Sequence, residues 1–460
     1  MIRKYLTALL LWTAGSCAAG PIQLHPDNSH YFLWRGKPTL LMGSTEHYGA
    51  VLNGDFDYLK YLSTLKADGL NLTRTFSGAY CEAVGNFNIT NNTLAPADGK
   101  LICPWARSDQ DGYAGGGKKF DLTKWNAVYF DRLKDFVQKA NEAGVVVELV
   151  LFCPFYEDTM WNLSPMNAKN NVNGISTVGR EQAYALKDDK LTTIQKEMVR
   201  KIVRELKDCE NLYYEICNEP YFGGVTLAWQ AAIAQAITET EKSLGVQHLI
   251  AQNIANHRQK IEKPNPQVSI FNFHYARPPV TVSENWGLNR PIGDDETGFD
   301  GSEDKVYRRE AWNFLLAGGA IFDNLDYSFS VGKEDGTGKV SAPGGGSPAL
   351  RKQLRYLKET LEHFDFVKSK PVEGFVTKGL PDKATAYALQ RDQWYLAYIS
   401  GCKGPIEIQF NLLNGKFRIE WINPKDGKPV GSQQIQAHDT AVSVSTPAFE
   451  DDLAARISTQ

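Results

Sequence analysis

The chain has 460 residues, of which 42% are hydrophobic, and a formal net charge of −3. It is longer than one typical domain, and its apolar content is ample for a large core. The nearly balanced charge offers neither the basic surface that binds nucleic acid nor a cationic face for a membrane. We therefore expect no nucleic-acid partner and more than one domain.

The first residues, 1–19, have the pattern of a signal peptide. Two basic residues precede an apolar run at 5–14, and small residues follow it. We predict cleavage between Ala18 and Gly20 and a secreted or periplasmic protein. A lipid anchor at Cys17 is the less favoured alternative, because the preceding residues match a lipoprotein signal poorly. The apolar run is too short to span a bilayer, and no later segment is apolar enough to do so.

The middle of the chain alternates between predicted strands and helices. A hairpin at 21–37 comes first, and the valine-rich run at 145–152 is typical of a parallel sheet. Eight strand–helix repeats predict an α/β fold, a (β/α)8 TIM barrel over 20–367. An open doubly wound sheet is the alternative, but no G-x-G-x-x-G follows the first strand. The strands are predicted at 39–43, 70–75, 145–152, from 211, 248–252, 268–274, 291–296 and 319–325, and the main helices near 55–68, 122–143, 187–207, 306–316 and 348–363.

The last ninety residues change character. Short alternating segments separated by turns such as Asn414-Gly415 and Asp426-Gly427 predict antiparallel strands. We expect a small antiparallel β-sandwich over 368–460. Its strands are predicted at 384–390, 393–399, 406–410, 416–422 and 441–446.

The fourth predicted strand ends in Asn218-Glu219-Pro220. Pro220 cannot donate to a sheet ladder, so the strand must stop there. Barrel enzymes keep their catalytic groups at the C-terminal tips of the strands, which makes Glu219 a candidate proton donor. The alternative is a surface glutamate at the start of a helix.

A second carboxylate is expected at the tip of the seventh strand, in the segment 291–298. A retaining glycosidase needs two carboxyl groups about 5–5.5 Å apart. Glu296 is the best candidate, and strand alternation places Asp294 on its face and Asp295 on the opposite face. A solvated acidic turn is the alternative interpretation.

These motifs resemble those of the retaining glycoside hydrolases of clan GH-A, among them the cellulase-like family 5 and the apiosidase-like members. The resemblance covers residues 21–365 and implies double displacement at a β-glycosidic bond of an oligo- or polysaccharide. Glu219 would be the acid/base and Glu296 the nucleophile. Four further residues match substrate or nucleophile contacts of the clan: Asn218, Arg74, His274 and Tyr275.

The C-terminal segment 420–427 resembles the small β-sandwich that is named for collagen binding and that often follows apiosidase-like barrels. We take that label as a name only. Carbohydrate is therefore the expected partner, and the abundant aromatic residues, 11% of the chain, are consistent with rings that stack on sugars. The oligomeric state is not predicted.

Three parts of the chain depart from the clan pattern. Tyr275 directly follows His274, whereas cellulase-like members place this tyrosine two residues beyond the histidine. The eighth strand tip carries Tyr327 as a candidate substrate contact and lacks the usual tryptophan platform. The first strand tip holds Glu46 and His47, which we expect to bind substrate hydroxyls; alternatively they pair with each other below the pocket.

Long loops after the second and third strands tend to close the cleft into a pocket, which favours exo-action or a short branched substrate. We expect Trp161 and Trp286 to wall this pocket, although such aromatics pack loops together equally often. Cys81 and Cys103 bracket one loop and are the expected disulfide pair. Burial is expected to raise the pKa of Glu219, which suits a proton donor.

We expect no cofactor and no metal, because the cysteines and histidines lack paired ligand spacing. Two alternatives remain besides a metal-dependent barrel hydrolase. One is a catalytically inactive carbohydrate-binding protein on the same barrel, and the other is a structural cell-surface protein whose working part is the sandwich.

Overall fold

The computed structural model describes residues 20–438 and 441–460, so the predicted signal peptide and Cys17 lie outside the described residues. Eight parallel strands follow one another around a sheet in chain order. The sheet closes where Asn71, just before the second strand, donates its backbone N–H to the carbonyl of Met42 at 3.1 Å. The predicted (β/α)8 barrel is confirmed. Its strands are Leu41–Thr45, Leu72–Phe76, Val146–Val150, Leu212–Glu215, Leu249–Asn256, Ile270–His274, Ile292–Thr297 and Ile321–Leu325.

Helices cover the outside of the barrel. Asp57 caps the first by accepting from the N–H groups of Leu59 and Lys60, and Gly69 ends it in the left-handed conformation that glycine tolerates. Each helix turns its apolar side to the strands. The α-helices are Tyr58–Asp68, Ala127–Ala143, Asp158–Leu163, Asp189–Leu206, Leu227–Leu244, Val280–Asn285, Asp304–Leu316 and Pro348–Phe364. Within the described residues, none is long and apolar enough to cross a membrane.

The loop after the second strand contains a hairpin that the sequence did not predict. Its strands are Trp105–Asp111 and Lys118–Trp125, so the following helix begins at Ala127 rather than near 122. The hairpin carries mostly exposed polar side chains, and Phe120 and Leu122 supply much of its buried face. Too few apolar residues alternate here for a strand pattern to be seen.

A short three-stranded sheet precedes the barrel, and two antiparallel sheets of six and three strands follow it. All five strands predicted in the C-terminal part are present, and four further strands were not predicted. One of these, Pro429–Ala437, is largely exposed and lacks an apolar face. The first sheet is Gln23–Leu24, Phe32–Trp34 and Lys37–Thr39; the others are Lys370–Pro371, Val376–Lys378, Thr385–Arg391, Trp394–Ser400, Glu407–Asn411, Gly415–Ile422, Pro429–Ala437, Ala441–Ser445 and Asp452–Thr459.

The barrel and the C-terminal sheets share a buried contact. Arg308, on the helix after the seventh barrel strand, donates to both carboxylate oxygens of Asp452, at 2.7 and 3.0 Å. Tyr398 donates to the same carboxylate at 2.7 Å, and its ring stacks on Trp312 with centroids 5.0 Å apart. The apolar core is continuous across this contact.

The expected disulfide between Cys81 and Cys103 is not formed. Cys81 and Cys103 are separate buried thiols, and burial raises the pKa of each to about 12. The Sγ of Cys103 points to the carbonyl of Trp105 at 3.6 Å instead. The prediction of this pair from the shared loop was wrong.

Candidate active site

A cavity of about 350 Å³ opens at the C-terminal ends of the barrel strands, and both Glu219 and Glu296 line it. The fourth strand ends at Glu215, so Glu219 lies beyond the tip and not on the strand. Its φ of +37° is rare for a residue other than glycine and turns the chain sharply at this point. The sequence located the right tip but placed the end of the strand too late.

The seventh strand delivers Glu296 through an irregular register. Pairing with the eighth strand shifts between Asp294 and Thr297. As a result, the neighbouring Asp295 and Glu296 both reach Arg74, with N–O distances of 3.4 and 3.2 Å. Asp294 instead accepts from the N–H of Ala276. The predicted alternation, with Asp294 on the face of Glu296, is wrong because a bulge interrupts it.

The two glutamates face each other across the cavity. One carboxylate oxygen from each and one ring nitrogen of His274 lie within 4.8 Å of one another. Both side chains are nearly buried, with 8% of Glu219 and 6% of Glu296 exposed. Two carboxyl groups this close, reached from a cavity, can act on the same bound atom.

Three donors hold the carboxylate of Glu296. Tyr48 and Arg74 donate to its Oε2 at 2.9 and 3.2 Å, and Tyr275 donates to its Oε1 at 2.5 Å. The guanidinium of Arg74 also lies 4.6 Å from the centre of the Tyr48 ring. A cation and two hydroxyls stabilise the ionised form of this side chain.

Glu219 also has three donors. His274 and Tyr221 donate to Oε1 at 3.1 Å each, and Tyr156 donates to Oε2 at 2.6 Å. Burial acts to raise the pKa of Glu219, but the hydrogen bond and charge of His274 and the two tyrosine hydroxyls outweigh it, and the pKa lies below its ordinary value. The expected upward shift of this pKa is therefore wrong for the ligand-free site.

The pKa of His274 shifts in the opposite direction to that of Glu219. Burial acts to lower its pKa, but the charges of Glu296, Asp295 and Glu219 outweigh burial and raise the pKa to about 9. Its Nδ1 lies 3.1 Å from Glu219 and 3.5 Å from Glu296. An imidazolium thus sits between the two glutamates at neutral pH.

Three residues that bond to these carboxylates or form them have a left-handed backbone. They are Tyr48 with φ of +60°, Glu219 with +37° and Tyr275 with +53°. Non-glycine residues in this region carry a conformational cost of about 1–3 kcal/mol, and they cluster at functional sites. The turn at Tyr275 also explains the departure noted in the sequence, because it brings two consecutive side chains to the same pocket.

Polar groups continue into the barrel below the two glutamates. Arg74 donates to Glu215 at 2.5 Å and to the Oδ1 of Asn218 at 2.8 Å. The amide nitrogen of Asn272 lies 2.7–2.8 Å from a carboxylate oxygen of each of Glu148, Glu215 and Asp295, and its two hydrogens are shared among them. These three acids lie close enough to hold a cation, as do Glu219, His274 and Glu296. In the lower cluster, the guanidinium already supplies the positive charge.

The first strand tip does not contain the predicted pair of substrate ligands. Glu46 is fully buried outside the cavity, where it accepts from the N–H groups of Gly49 and Ala50 at 2.9 Å each. Burial raises its pKa to about 7. His47 lines the cavity and bonds to Asn92 at 2.9 Å. The prediction for Glu46 is wrong, and so is the alternative in which the two residues pair.

The predicted aromatic walls lie elsewhere. Trp286 stacks on His30 with centroids 3.5 Å apart, away from the cavity. Trp161 packs on Phe155 with centroids 4.8 Å apart, behind the cavity wall. Tyr327 is buried behind His47, 5.8 Å from its ring centre. The predictions of Trp161, Trp286 and Tyr327 as substrate contacts are wrong for this cavity, because loop packing uses these rings.

Other residues were overlooked in the sequence. Tyr48 follows the first strand tip and Tyr221 follows Pro220, so both stood next to segments already marked as functional. Glu82 lines the cavity from the loop after the second strand. No local motif marks it, because its place depends on how a long loop folds back. Among the lining residues, Phe87, Phe222 and Phe299 are the large apolar side chains that remain exposed, at 38–44%.

A barrel with two facing carboxylates at its mouth defines a class of sugar-hydrolysing enzyme, and the comparisons with known proteins agree. The profile described as Cellulase (glycosyl hydrolase family 5) matches residues 59–319, more than half of the chain. The chain therefore belongs to glycosyl hydrolase family 5 and is a glycoside hydrolase. Comparison with curated protein sequences finds no significant match.

Solved structures share the fold at low sequence identity. One described as a glycoside hydrolase is 16% identical, with a TM-score of 0.65, over 95% of this chain and 96% of its own. A family 5 glycoside hydrolase from Bacteroides vulgatus ATCC 8482 is 15% identical, with a TM-score of 0.63, over 95% and 92%. The endo-beta-1,4-mannanase from Thermotoga petrophila is 12% identical, with a TM-score of 0.50, over 89% and 97%. At these identities the likeness concerns the fold.

Proposed function

We propose that the chain cleaves β-type O-glycosidic bonds of oligo- or polysaccharides with retention of configuration, by double displacement. Glu296 is the nucleophile, and Glu219 is the acid/base. The observation that carries this proposal is the approach of the two carboxylates, which have oxygens within 4.8 Å of each other. Retaining enzymes hold these groups about 5–5.5 Å apart, whereas inverting enzymes leave about 6.5–9.5 Å for a water.

Glu296 is prepared for attack on the anomeric carbon. Its bonds with Arg74, Tyr48 and Tyr275 place donors on both carboxylate oxygens and fix its orientation. In the first step a C–O bond forms to Glu296 as the bond to the leaving oxygen breaks. In the second step water attacks the same carbon and releases Glu296 as a carboxylate, which the same donors stabilise.

The proton for the leaving oxygen comes from Glu219 together with His274. Glu219 alone is ionised at neutral pH because its pKa lies below the ordinary value, but His274, with its pKa near 9, carries a proton 3.1 Å away. The two groups titrate as a pair that holds one proton. When Glu296 becomes an ester its charge disappears, and with it the largest influence that raises the pKa of His274. The pair therefore gives up its proton to the leaving oxygen more readily and is left without it, so that it can act as the base that takes a proton from the attacking water. Glu219 with His274 changes from acid to base, and Glu296 remains the nucleophile and then the leaving group.

Asn218 is proposed to hold the sugar hydroxyl next to the anomeric carbon. Its Oδ1 is bound by Arg74 at 2.8 Å, and its Nδ2 donates to Tyr156 at 2.9 Å. This fixes the amide beside Glu219. Asn218 lines the cavity, so a substrate hydroxyl can exchange with the tyrosine contact.

Azide rescue tests the assignment. With an activated aryl β-glycoside, Glu296→Ala should lose activity and regain it with azide through an α-glycosyl azide, because azide takes the place of the nucleophile. Glu219→Ala should instead yield the β-azide. Asp294→Ala is the matched control and should need no azide. Rescue of Asp294→Ala in place of Glu296→Ala would contradict the assignment of the nucleophile.

We also propose that the protein is exported, on the basis of the N-terminal pattern at 1–19. Cell fractionation with and without these residues tests this. The full-length product should be recovered outside the cytoplasm, lacking its first residues, and the truncated one should stay inside. Retention of both forms in the cytoplasm would contradict export.

A further inference from the structure

One side of the cavity is closed by three loops that are bonded together. Thr90, in the loop after the second barrel strand, donates its N–H to the carbonyl of Ser341, in the loop after the eighth strand, at 3.0 Å, and their hydroxyls are 2.9 Å apart. Asn53, in the loop after the first strand, donates to the carbonyl of Thr93 at 3.0 Å. These bonds join the three loops beside the cavity, so the loops are positioned to block a longer sugar chain on this side.

A row of polar side chains stands at this closed end. The amide Nδ2 of Asn92 donates to Oε2 of Glu82 at 2.5 Å, and its Oδ1 lies 2.9 Å from Nδ1 of His47. Tyr80 donates to the other oxygen of Glu82 at 3.0 Å. Glu82 and His47 both line the cavity, whereas Asn92 lies behind them.

The row fixes which atoms face the cavity as acceptors. Asn92 must turn its NH₂ to the carboxylate, so its oxygen accepts from the N–H of Leu94 at 2.9 Å and from His47. Nδ1 of His47 therefore carries the hydrogen, and in the neutral ring Nε2 is an acceptor. This Nε2 has no partner within the described residues. The carboxylate of Glu82 keeps unused lone pairs, so both groups are suited to accept from hydroxyls.

The closed end lies opposite the side of the cavity that receives the leaving group. Glu219 is bound by Tyr156 and Tyr221, and the hydroxyl oxygen of Tyr221 also lies 2.5 Å from the Oδ1 of Asn256. Because Glu219 protonates the leaving oxygen, the leaving group occupies that side of the cavity. The ring of the glycosyl unit then extends away from it, toward His47 and Glu82.

We propose that the closed end admits one terminal, non-reducing sugar unit, whose free hydroxyls donate to Glu82 and His47. The enzyme therefore removes terminal units and does not cut within a chain. This proposal rests on the proposed function and adds its substrate class: β-glycosides with an unsubstituted terminal sugar. The size of the cavity, about 350 Å³, is at the lower end of ligand sites and agrees with a short occupant.

Product analysis distinguishes this proposal from the proposed function. A panel of β-linked pentasaccharides is incubated with the wild-type protein, each as the free form and with the terminal hydroxyls capped as an acetal. For the hydrolysed member we expect only monosaccharide among the first products and no cleavage of the capped form. Early internal fragments would overturn this proposal alone. Failure to hydrolyse any member, or any aryl β-glycoside, would overturn the proposed function and this proposal with it.

Glu82→Gln tests the hydroxyl contact. With the aryl β-glycoside that the wild type hydrolyses fastest, we expect kcat/KM to fall about 10- to 100-fold, as for loss of a hydrogen bond to a charged group. The loss should shrink for the monodeoxy glycoside that lacks the bound hydroxyl, which a purely structural role would not produce. Glu157→Gln, an exposed glutamate outside the cavity, is the matched control with unchanged kinetics.

Folding is checked by the thermal transition of each variant. If Glu82→Gln does not fold, His47→Gln replaces it, with the same expected fall and the same dependence on one hydroxyl. A folded Glu82→Gln or His47→Gln protein with wild-type kcat/KM on all glycosides would overturn the proposal.

Discussion

His274 and Tyr275 are consecutive in the chain, yet each donates a hydrogen bond to a different one of the two facing glutamates. His274 bonds to Glu219 at 3.1 Å, and Tyr275 bonds to Glu296 at 2.5 Å. The strand ends at His274, and the positive φ of Tyr275 turns its side chain back over the mouth. Two adjacent residues therefore each donate a hydrogen bond that stabilises the negative charge of one of the two carboxylates.

Removing either hydroxyl from Glu296 should slow the reaction. We expect Tyr275→Phe and Tyr48→Phe each to lower kcat by about 10- to 100-fold, because a hydrogen bond to a charged group contributes about 1.5–3 kcal/mol. Steady-state kinetics on an aryl β-glycoside measure this. Tyr58→Phe, which removes a hydroxyl bonded to Asp135 on the outside of the barrel, is the control and should keep wild-type kcat. An unchanged kcat in both site variants would contradict the role of these tyrosines.

The raised pKa of His274 predicts a stability that depends on pH. The folded value is about 9 against an ordinary value of 6.5, so the folded state favours the charged ring. This contribution is fully present below pH 6.5 and is lost as the pH rises through about 9. Urea unfolding at pH 6, 8 and 10 should show the wild type losing free energy of unfolding relative to His274→Gln. A constant difference between the two proteins would show that His274 is not protonated in the folded state.

The same histidine predicts the alkaline limb of activity. Since the pair of His274 and Glu219 holds its proton up to about pH 9, kcat/KM of the wild type should fall only above that pH. In His274→Gln, Glu219 must carry the proton alone, and the fall should begin at a lower pH. A pH profile of kcat/KM for both proteins measures the shift, and coinciding profiles would contradict the paired donor.

Glu46 is expected to act on stability and on the placement of Tyr48. Glu46→Ala leaves the N–H groups of Gly49 and Ala50 without their partner, at a cost of about 1–3 kcal/mol each. Thermal or urea unfolding should show this loss. Glu46→Gln retains an acceptor and should lose less. If Glu46→Ala raised KM without any loss of stability, the result would contradict this structural role and support the sequence prediction that Glu46 binds substrate.

The contact between barrel and sandwich offers a matched pair of variants. Asp452→Ala leaves Arg308 buried without its partner, and breaking such a pair costs about 3–5 kcal/mol. Asp451→Ala, its more exposed neighbour, removes only ion pairs of 3.6 and 3.8 Å and should cost less than about 1 kcal/mol. Equal free energies of unfolding for the two variants would contradict a supporting role of the buried pair.

Much of the fold was predictable because buried strands and amphipathic helices leave periodic patterns. The tips with Glu219 and Glu296 could be found, since a proline and a glycine mark the ends of their strands. The directions in which Asp294 and Asp295 point could not be predicted, because a bulge changes the strand register and no residue in the sequence marks the bulge.

The rest of the site depends on loops. Whether Glu46 caps backbone amides or meets substrate is decided by how the chain turns at Tyr48. Trp286 and Trp161 were assigned to the cavity because of their residue type, yet each has a packing partner far along the chain or on its own loop. The lowered pKa of Glu219 arises from donors on three different segments, which no local pattern brings together.

The shared core of barrel and sandwich has a consequence for anyone who cuts or recombines this gene. A fragment that stops near residue 368, where we propose the domain boundary, would leave the ring of Trp312 and the charge of Arg308 facing water on the barrel wall. Such a fragment would tend to aggregate through that patch. A chimera that takes its sandwich from another protein should therefore also take from that protein the residues on the outer face of the helix Asp304–Leu316.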